Sequence, residues 1–116
     1  MPIKYELKIK PEVIRLPPEL STDLFRIFQE ALTNISRHSR ASNVTISFIE
    51  NKTYYELCIK DDGVGIHRSR IDHSNSLGLL GMRERALIWK GHMAIKGVVG
   101  EGTQLKIKIP RVSNDR

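Results

Sequence analysis

The fold follows from one stretch, STDLFRIFQEALTNISRH, which covers residues 21–38. Its apolar side chains recur at steps of three and four residues: Leu24, Ile27, Phe28, Ala31, Leu32 and Ile35. This spacing predicts a long amphipathic helix with one buried face, and we expect Ser21 to be its N-cap. The other face is polar and is available for a ligand.

Strand-like segments lie on both sides of this helix. Apolar and polar residues alternate as in strands with one buried face at residues 3–9, 44–48, 55–59 and 105–109. Met93, Ile95 and Val98 indicate a further short strand. A second helix is predicted from Gly78 to Gly91, with Gly91 as its C-cap. The element order predicts an α/β (α+β) two-layer sandwich, with helices on one face of a mixed, mainly antiparallel sheet. Residues 112–116 are expected to fray.

Length and composition bound the possibilities. A chain of 116 residues predicts a single domain over residues 1–116, with its motifs between about 21 and 110. We find no run close to the ~20 apolar residues of a membrane helix and no signal peptide, so we expect a cytoplasmic domain without membrane contact, whether or not its parent protein is membrane-anchored. Cys58 is the only cysteine, and we expect a buried structural thiol.

The net charge of +6 and the pI near 9.7 raise the question of nucleic-acid binding. The basic residues are scattered along the sequence, and aromatic residues do not alternate with them as in a base-stacking platform. We therefore expect no nucleic-acid partner. A small anionic ligand such as a nucleotide fits the same charge.

Two polar residues of the long helix could form a site. Glu30 and Asn34 are one turn apart, so a carboxylate and an amide project from nearly the same face. An amide oxygen suits Mg²⁺, and a carboxylate can hold a water or accept a proton. Arg37 and His38 follow one turn later, within reach of the same phosphates. The same residues would also fit the ordinary solvated face of an amphipathic helix.

Three further segments that contain glycine are candidates for ligand binding. Asp61 and Asp62 end a strand in the sequence DDGVG, residues 61–65, where a carboxylate could accept the exocyclic amine of a base. Gly78 and Gly81 flank the start of the second helix, where free N–H groups favour phosphate. GEGT, residues 100–103, precedes the last strand. Each of these is also explained by an ordinary turn.

The order and spacing of these segments resemble a known family. EALTNISRH at 30–38 resembles the N box of the histidine-kinase ATPase domain, and DDGVG at 61–65 resembles its G1 box. LGLLGMRERA at 77–86 resembles the G2 box of the sensor kinases whose usual response regulators carry LuxR-type DNA-binding domains, and GEGT at 100–103 matches the final box. The resemblance implies the Bergerat-type ATP-binding fold of gyrase, the Hsp90 chaperone and MutL.

The resemblance also implies roles for individual residues. Asn34 would hold Mg²⁺, and Glu30 would orient or deprotonate the attacking group. Asp61 would accept the adenine amino group, with Gly65 and Thr103 completing the pocket. The other residues implied in nucleotide binding are Arg37, which replaces a lysine found in many relatives, and His38, Gly63, Gly78, Leu79, Gly81 and Met82. Residues 67–77 would form the ATP lid.

The implied activity is that of an ATP-dependent protein histidine kinase. Its γ-phosphate would pass to a histidine on a separate dimerisation domain and then to a response regulator. Family acceptor histidines are typically followed by Asp or Glu, whereas Ser, Arg, Ser and Met follow the four histidines here, His38, His67, His73 and His92. We therefore expect little phosphotransfer by this domain alone.

Two alternatives remain open. An anti-sigma-type serine kinase would share the N and G1 boxes, but the MRER string at residues 82–85 argues against it. A non-catalytic nucleotide-binding module is the other, and the presence of Glu30, Asn34 and Asp61 disfavours it.

Overall fold

The computed structural model describes residues 2–65 and 78–111. The strands are β1 (Lys4–Lys10), β2 (Asn43–Glu50), β3 (Tyr54–Asp61), β4 (His92–Val98) and β5 (Gly102–Pro110). The helices are α1 (Pro18–Asn34), which continues as a π-helical turn (Ile35–Ser39), and α2 (Leu79–Ile88). The predicted ATP lid and the C-terminal tail lie outside the described residues.

The five strands form one sheet in the order β1-β2-β3-β5-β4. β1 is parallel to β2, and every other neighbouring pair is antiparallel. The buried strand residues, such as Ile46, Ile59 and Ile107, lie on one face of the sheet and form a single core with α1 and α2. The predicted α+β two-layer architecture with a mixed, mainly antiparallel sheet is therefore confirmed.

The start of α1 differs from the sequence prediction. The helix begins at Pro18, whose ring presets a helical φ and whose missing N–H costs nothing in the first turn. Ser21 lies inside this turn, where its N–H donates to the Pro17 carbonyl at 2.9 Å. The prediction of Ser21 as N-cap was wrong because the diproline starts the helix earlier.

The end of α2 also differs. The helix ends at Ile88, and the left-handed residue that follows is Lys90, at a φ of 59°, instead of Gly91. Gly91 is needed for another reason, since a Cβ there would overlap the Lys108 carbonyl on β5. The indole Nε1 of Trp89 donates to Asp23 Oδ2 at 2.8 Å, which ties the end of α2 to α1.

Two expectations about burial were wrong. β1 alternates as predicted, but Tyr5, Leu7 and Ile9 remain 53%, 62% and 42% exposed. β1 is an edge strand whose core-side face no described helix covers. Cys58 is half-buried and lies on the sheet face opposite the helices, because its core-side neighbours on β3 are Leu57 and Ile59. Burial still raises the pKa of the Cys58 thiol.

No helix among the described residues is long and apolar enough to cross a membrane.

Candidate functional site

A buried carboxylate lies where β3 ends. Asp61 is 4% exposed, and its Oδ1 accepts the N–H of Gly63 at 2.8 Å. Desolvation raises the pKa of the Asp61 carboxyl, against the opposing effect of the N–H donors of Gly63 and Thr103. A polar acceptor is thus held at the sheet end, inside the protein surface, as recognition of a small ligand requires.

Thr103 lies beside Asp61 on the neighbouring strand, in the register pair Asp61↔Thr103. Its side-chain Oγ1 is buried and has no hydrogen-bond partner among the described residues. A buried hydroxyl left unpaired costs about 1–3 kcal/mol, so this hydroxyl is a candidate contact for a ligand. A carboxylate acceptor beside a hydroxyl that can donate matches the adjacent amino group and ring nitrogen of adenine.

The neighbouring Asp62 has a different task. It is exposed, and its Oδ1 accepts the N–H groups of Ser42 and Asn43 at 2.8 and 2.9 Å. Its Oδ2 accepts Nδ2 of Asn43 at 2.8 Å. The side-chain bond from Asn43 and then the backbone bonds lower the pKa of the Asp62 carboxyl. Asp62 therefore fixes the start of β2, and Asp61 alone is available for a ligand.

The turn that follows Asp61 is packed too closely for side chains at its glycines. A Cβ on Gly63 would overlap the carbonyl of Ser39 in the π-helical turn, and Val64 N–H donates to that carbonyl at 2.7 Å. Gly65 has a φ of 80°, and a Cβ there would overlap the Val98 carbonyl. The turn is therefore held between the end of the long helix and the β4–β5 connection.

A second part of the site is a cavity of about 470 Å³ between α1 and the start of α2. It is lined by Arg26, Gln29, Glu30, Thr33, Gly78, Gly81 and Arg85. Gly78 has a φ of 68°, and a Cβ on it would overlap the Glu30 carboxylate. The predicted catalytic carboxylate and the predicted phosphate-binding glycines therefore come together.

Two arginines in this cavity were missed by the sequence prediction. Within residues 2–65 and 78–111, neither Arg26 nor Arg85 has a carboxylate oxygen within 4.0 Å. Arg85 lies close to Gly81, since a Cβ on that glycine would be 3.3 Å from its Nη1. Arg26 lies four residues before Glu30 on α1, and that helical spacing could have indicated a shared face. Together they make a cationic lining at a helix N-terminus.

The remaining N-box residues occupy the helix end. Asn34 is half-buried and is the last residue of α1, while Arg37 is exposed on the π-helical turn that also contains His38. No group of three or more His, Cys, Asp or Glu side chains that could hold a metal ion occurs in the described part of the chain. Asn34 with Glu30 one turn away still fits a Mg²⁺ ion that keeps waters and phosphate oxygens as its other ligands.

Leu79 and Met82 have their side chains in the hydrophobic core, at 2% and 1% exposure. The Met82 N–H donates to the Gly78 carbonyl at 3.2 Å. These two residues therefore hold the first turn of α2 in place, and a side-chain contact with a ligand would require them to leave the core.

Comparison with known proteins agrees with this geometry. The family described as "Histidine kinase-, DNA gyrase B-, and HSP90-like ATPase" matches residues 19–113. The histidine-protein kinase/phosphatase DegS of Brevibacillus brevis is 38% identical over 96 residues, which are 83% of this chain and 25% of that protein. The sensor histidine kinase LiaS of Bacillus subtilis is 41% identical over 87 residues, 75% of this chain and 24% of that protein. The chain thus spans about a quarter of the length of these relatives.

Solved structures show the same fold. The ATP-binding domain of PrrB from Mycobacterium tuberculosis has a TM-score of 0.72 at 20% identity, over 96% of this chain and 82% of that one. The Acinetobacter baumannii histidine kinase AdeS has a TM-score of 0.77 at 20% identity, over 93% of this chain and 54% of that one.

Proposed function

The chain belongs to the family of histidine kinase-, DNA gyrase B- and HSP90-like ATPases. We propose that it is the ATP-binding catalytic domain of a two-component sensor kinase and that it lies in the cytoplasm. It binds Mg-ATP and donates the γ-phosphate to a histidine on the dimerisation domain of its own protein, from which a response regulator is phosphorylated. The observation that carries the proposal is the buried Asp61 carboxylate beside the Thr103 hydroxyl, which has no hydrogen-bond partner within residues 2–65 and 78–111.

In this proposal, base recognition belongs to Asp61 and Thr103. Gly63 and Gly65 complete the pocket by allowing the turn after Asp61 to pack against the carbonyls of Ser39 and Val98. The carboxylate accepts the adenine amino group. Guanine carries a carbonyl oxygen at the corresponding position, and a carbonyl facing a carboxylate brings two acceptors together. The site thereby rejects GTP by repulsion as well as by a lost hydrogen bond.

The phosphates lie towards the cavity between the helices. Asn34 holds the metal, Arg37 and His38 lie near the phosphates, and the N-terminus of α2 at Gly78, Leu79 and Gly81 offers backbone N–H groups. Arg26 and Arg85 supply positive charge around the terminal phosphate, and Met82 supports the turn from the core. Mg²⁺, when bound, neutralises phosphate charge. Glu30 orients the attacking imidazole and accepts its proton, as its position beside Gly78 allows.

We also propose the subgroup whose response regulators carry LuxR-type DNA-binding domains, on the basis of the MRER string. Three side chains of this string, those of Met82, Arg83 and Arg85, each make a different contact in the fold. Met82 is in the core, Arg83 Nη1 donates to the Met93 carbonyl at 3.2 Å, and Arg85 lines the cavity. A string in which these three side chains have separate tasks is a specific signature.

The test is phosphotransfer to the parent protein's dimerisation domain, added in trans with labelled ATP. Glu30→Gln should keep ATP binding but lose on the order of 100-fold or more in transfer rate, the usual contribution of a general base. Asp61→Asn should lose both. Phosphohistidine is acid-labile and phosphoserine is acid-stable, so an acid-stable product would favour the serine-kinase alternative. ATP binding with no transfer to any acceptor would favour a non-catalytic module.

A further inference from the structure

The sheet face opposite the helices collects most of the lysines. Residues paired across neighbouring strands share a face, and one such row reads Lys8, Ser47, Cys58, Lys106 and Ala94. The rows on either side of it add further lysines. We call the complete set the lysine face: Lys4, Lys8, Lys10, Lys60, Lys96, Lys106 and Lys108.

The charge of this face is large compared with that of the chain. It holds seven of the nine lysines, the others being Lys52 and Lys90, and no arginine occupies a strand position on it. The acidic residues in or directly beside the same rows are Glu6, Glu56 and Asp62, whose carboxylate accepts Nδ2 of Asn43 in the Lys4 row. Seven positive and three negative charges leave +4, against +6 for the whole chain. The basic residues are scattered in sequence, and the strand register brings them together.

The lysine face is broad. The molecule is a slab with extents of 48 × 29 × 19 Å. A twist of about 20–25° per strand turns β1 away from β4. Four of its lysines lie on the adjacent strands β3, β5 and β4, which differ less in direction than β1 and β4 do: Lys60, Lys96, Lys106 and Lys108. All are exposed except Lys108, whose Nζ lies 3.9 Å from the centroid of the half-buried Tyr54 ring.

We propose that the lysine face binds the surface of an anionic lipid bilayer. A protein partner is disfavoured because protein interfaces are enriched in arginine and depleted in lysine, the reverse of what this face holds. Single-stranded nucleic acid is disfavoured because it needs an aromatic stacking platform, and Tyr54 is the only Phe, Tyr or Trp at a strand position on this face. Hydrated point charges spread over a broad surface fit a partner whose negative charges move laterally.

The position of the nucleotide site agrees with this arrangement. Asp61, Thr103 and the cavity between α1 and α2 lie on the helix side of the sheet, so a membrane under the lysine face leaves them accessible. The proposal does not depend on which acceptor the kinase uses. It replaces the sequence-based expectation that the domain makes no membrane contact.

The experiment is sedimentation of the domain with vesicles of phosphatidylcholine alone and of equimolar phosphatidylcholine and phosphatidylglycerol. The test variant carries Lys60→Gln, Lys96→Gln and Lys106→Gln. The control carries Arg15→Gln, Lys52→Gln and Lys90→Gln, which are exposed, lie off the lysine face and change the net charge equally. Each lysine near an anionic surface contributes about fivefold in affinity, so the test variant should bind on the order of 100-fold more weakly. Both variants should keep nucleotide binding.

The outcomes are separable. Binding that needs phosphatidylglycerol, falls with salt and is lost in the test variant but kept in the control supports the proposal. Equal losses in both variants would mean attraction by net charge alone and would overturn it, as would absence of vesicle binding. Tighter binding to a DNA oligonucleotide or to polyglutamate than to the vesicles, at the same salt, would overturn it in favour of a nucleic-acid or an acidic protein partner.

Discussion

Replacement of Asp61 by asparagine should abolish most adenine recognition while leaving the fold intact. Asp61 Oδ1 accepts the Gly63 N–H at 2.8 Å, so the carbonyl oxygen of an asparagine must take that place. Its NH₂ group then points where Oδ2 was and meets the adenine amino group donor to donor. The lost hydrogen bond to a charged acceptor and the new repulsion together amount to about 2–4 kcal/mol, which is about 30- to 1000-fold in ATP affinity.

The matched control for this change is Asp62→Asn. Asp62 accepts three hydrogen bonds from Ser42 and Asn43 and is exposed, so its replacement should lower stability and leave ATP affinity unchanged. Asp61→Asn should not lower the stability of the nucleotide-free protein at neutral pH, because burial already disfavours the charged carboxylate there. Calorimetric titration with ATP, combined with urea unfolding, measures both quantities. ATP binding by Asp61→Asn at wild-type strength, or an equal loss in Asp62→Asn, would refute this account of the adenine site.

Three further predictions concern the same region. Thr103→Val removes a buried hydroxyl that has no partner in the described part of the chain. Urea unfolding should therefore show the nucleotide-free protein unchanged or up to about 1–2 kcal/mol more stable, while titration shows ATP binding weakened. Gly63→Ala forces a Cβ onto the Ser39 carbonyl and should cost more than about 2 kcal/mol in unfolding free energy. The control Gly100→Ala has open space around its Cβ and only an unfavourable φ of 84°, so it should cost about 1 kcal/mol. Equal losses of unfolding free energy in the two variants would contradict the packing of Gly63 against Ser39. Burial raises the pKa of the Asp61 carboxyl, so the wild-type advantage over Asp61→Asn in ATP affinity should shrink as falling pH protonates that carboxylate. An advantage that does not change with pH over the range in which the protein stays folded would contradict this.

Periodicity in the sequence was enough to predict the architecture. The three- and four-residue spacing from Leu24 to Ile35 and the alternation in the strands give the element types, and their order gives the two layers. Alternation shows which side chains share a face but not whether anything covers that face. Tyr5, Leu7 and Ile9 were therefore predicted as buried, although β1 is an uncovered edge strand.

For the functional residues too, the sequence predicted local motifs but not the contacts that depend on tertiary packing. Glu30 and Gly78 were found as separate motifs, and their meeting in one cavity depends on how α1 packs against α2. Arg85 was quoted within a motif without a role, because its role depends on the cavity. The lysine face could not be predicted from the sequence, because it depends on strand register. Register is set by the pairing of distant segments, whereas periodicity describes a single segment.

Titration of the purified domain with ATP and with GTP, each with Mg²⁺, tests most directly whether this domain recognises adenine. We predict that ATP binds with measurable heat and that GTP does not bind at the same concentrations. Equal binding of the two nucleotides would contradict the assignment of Asp61 and Thr103 to the base, and absence of ATP binding would contradict the nucleotide site as a whole.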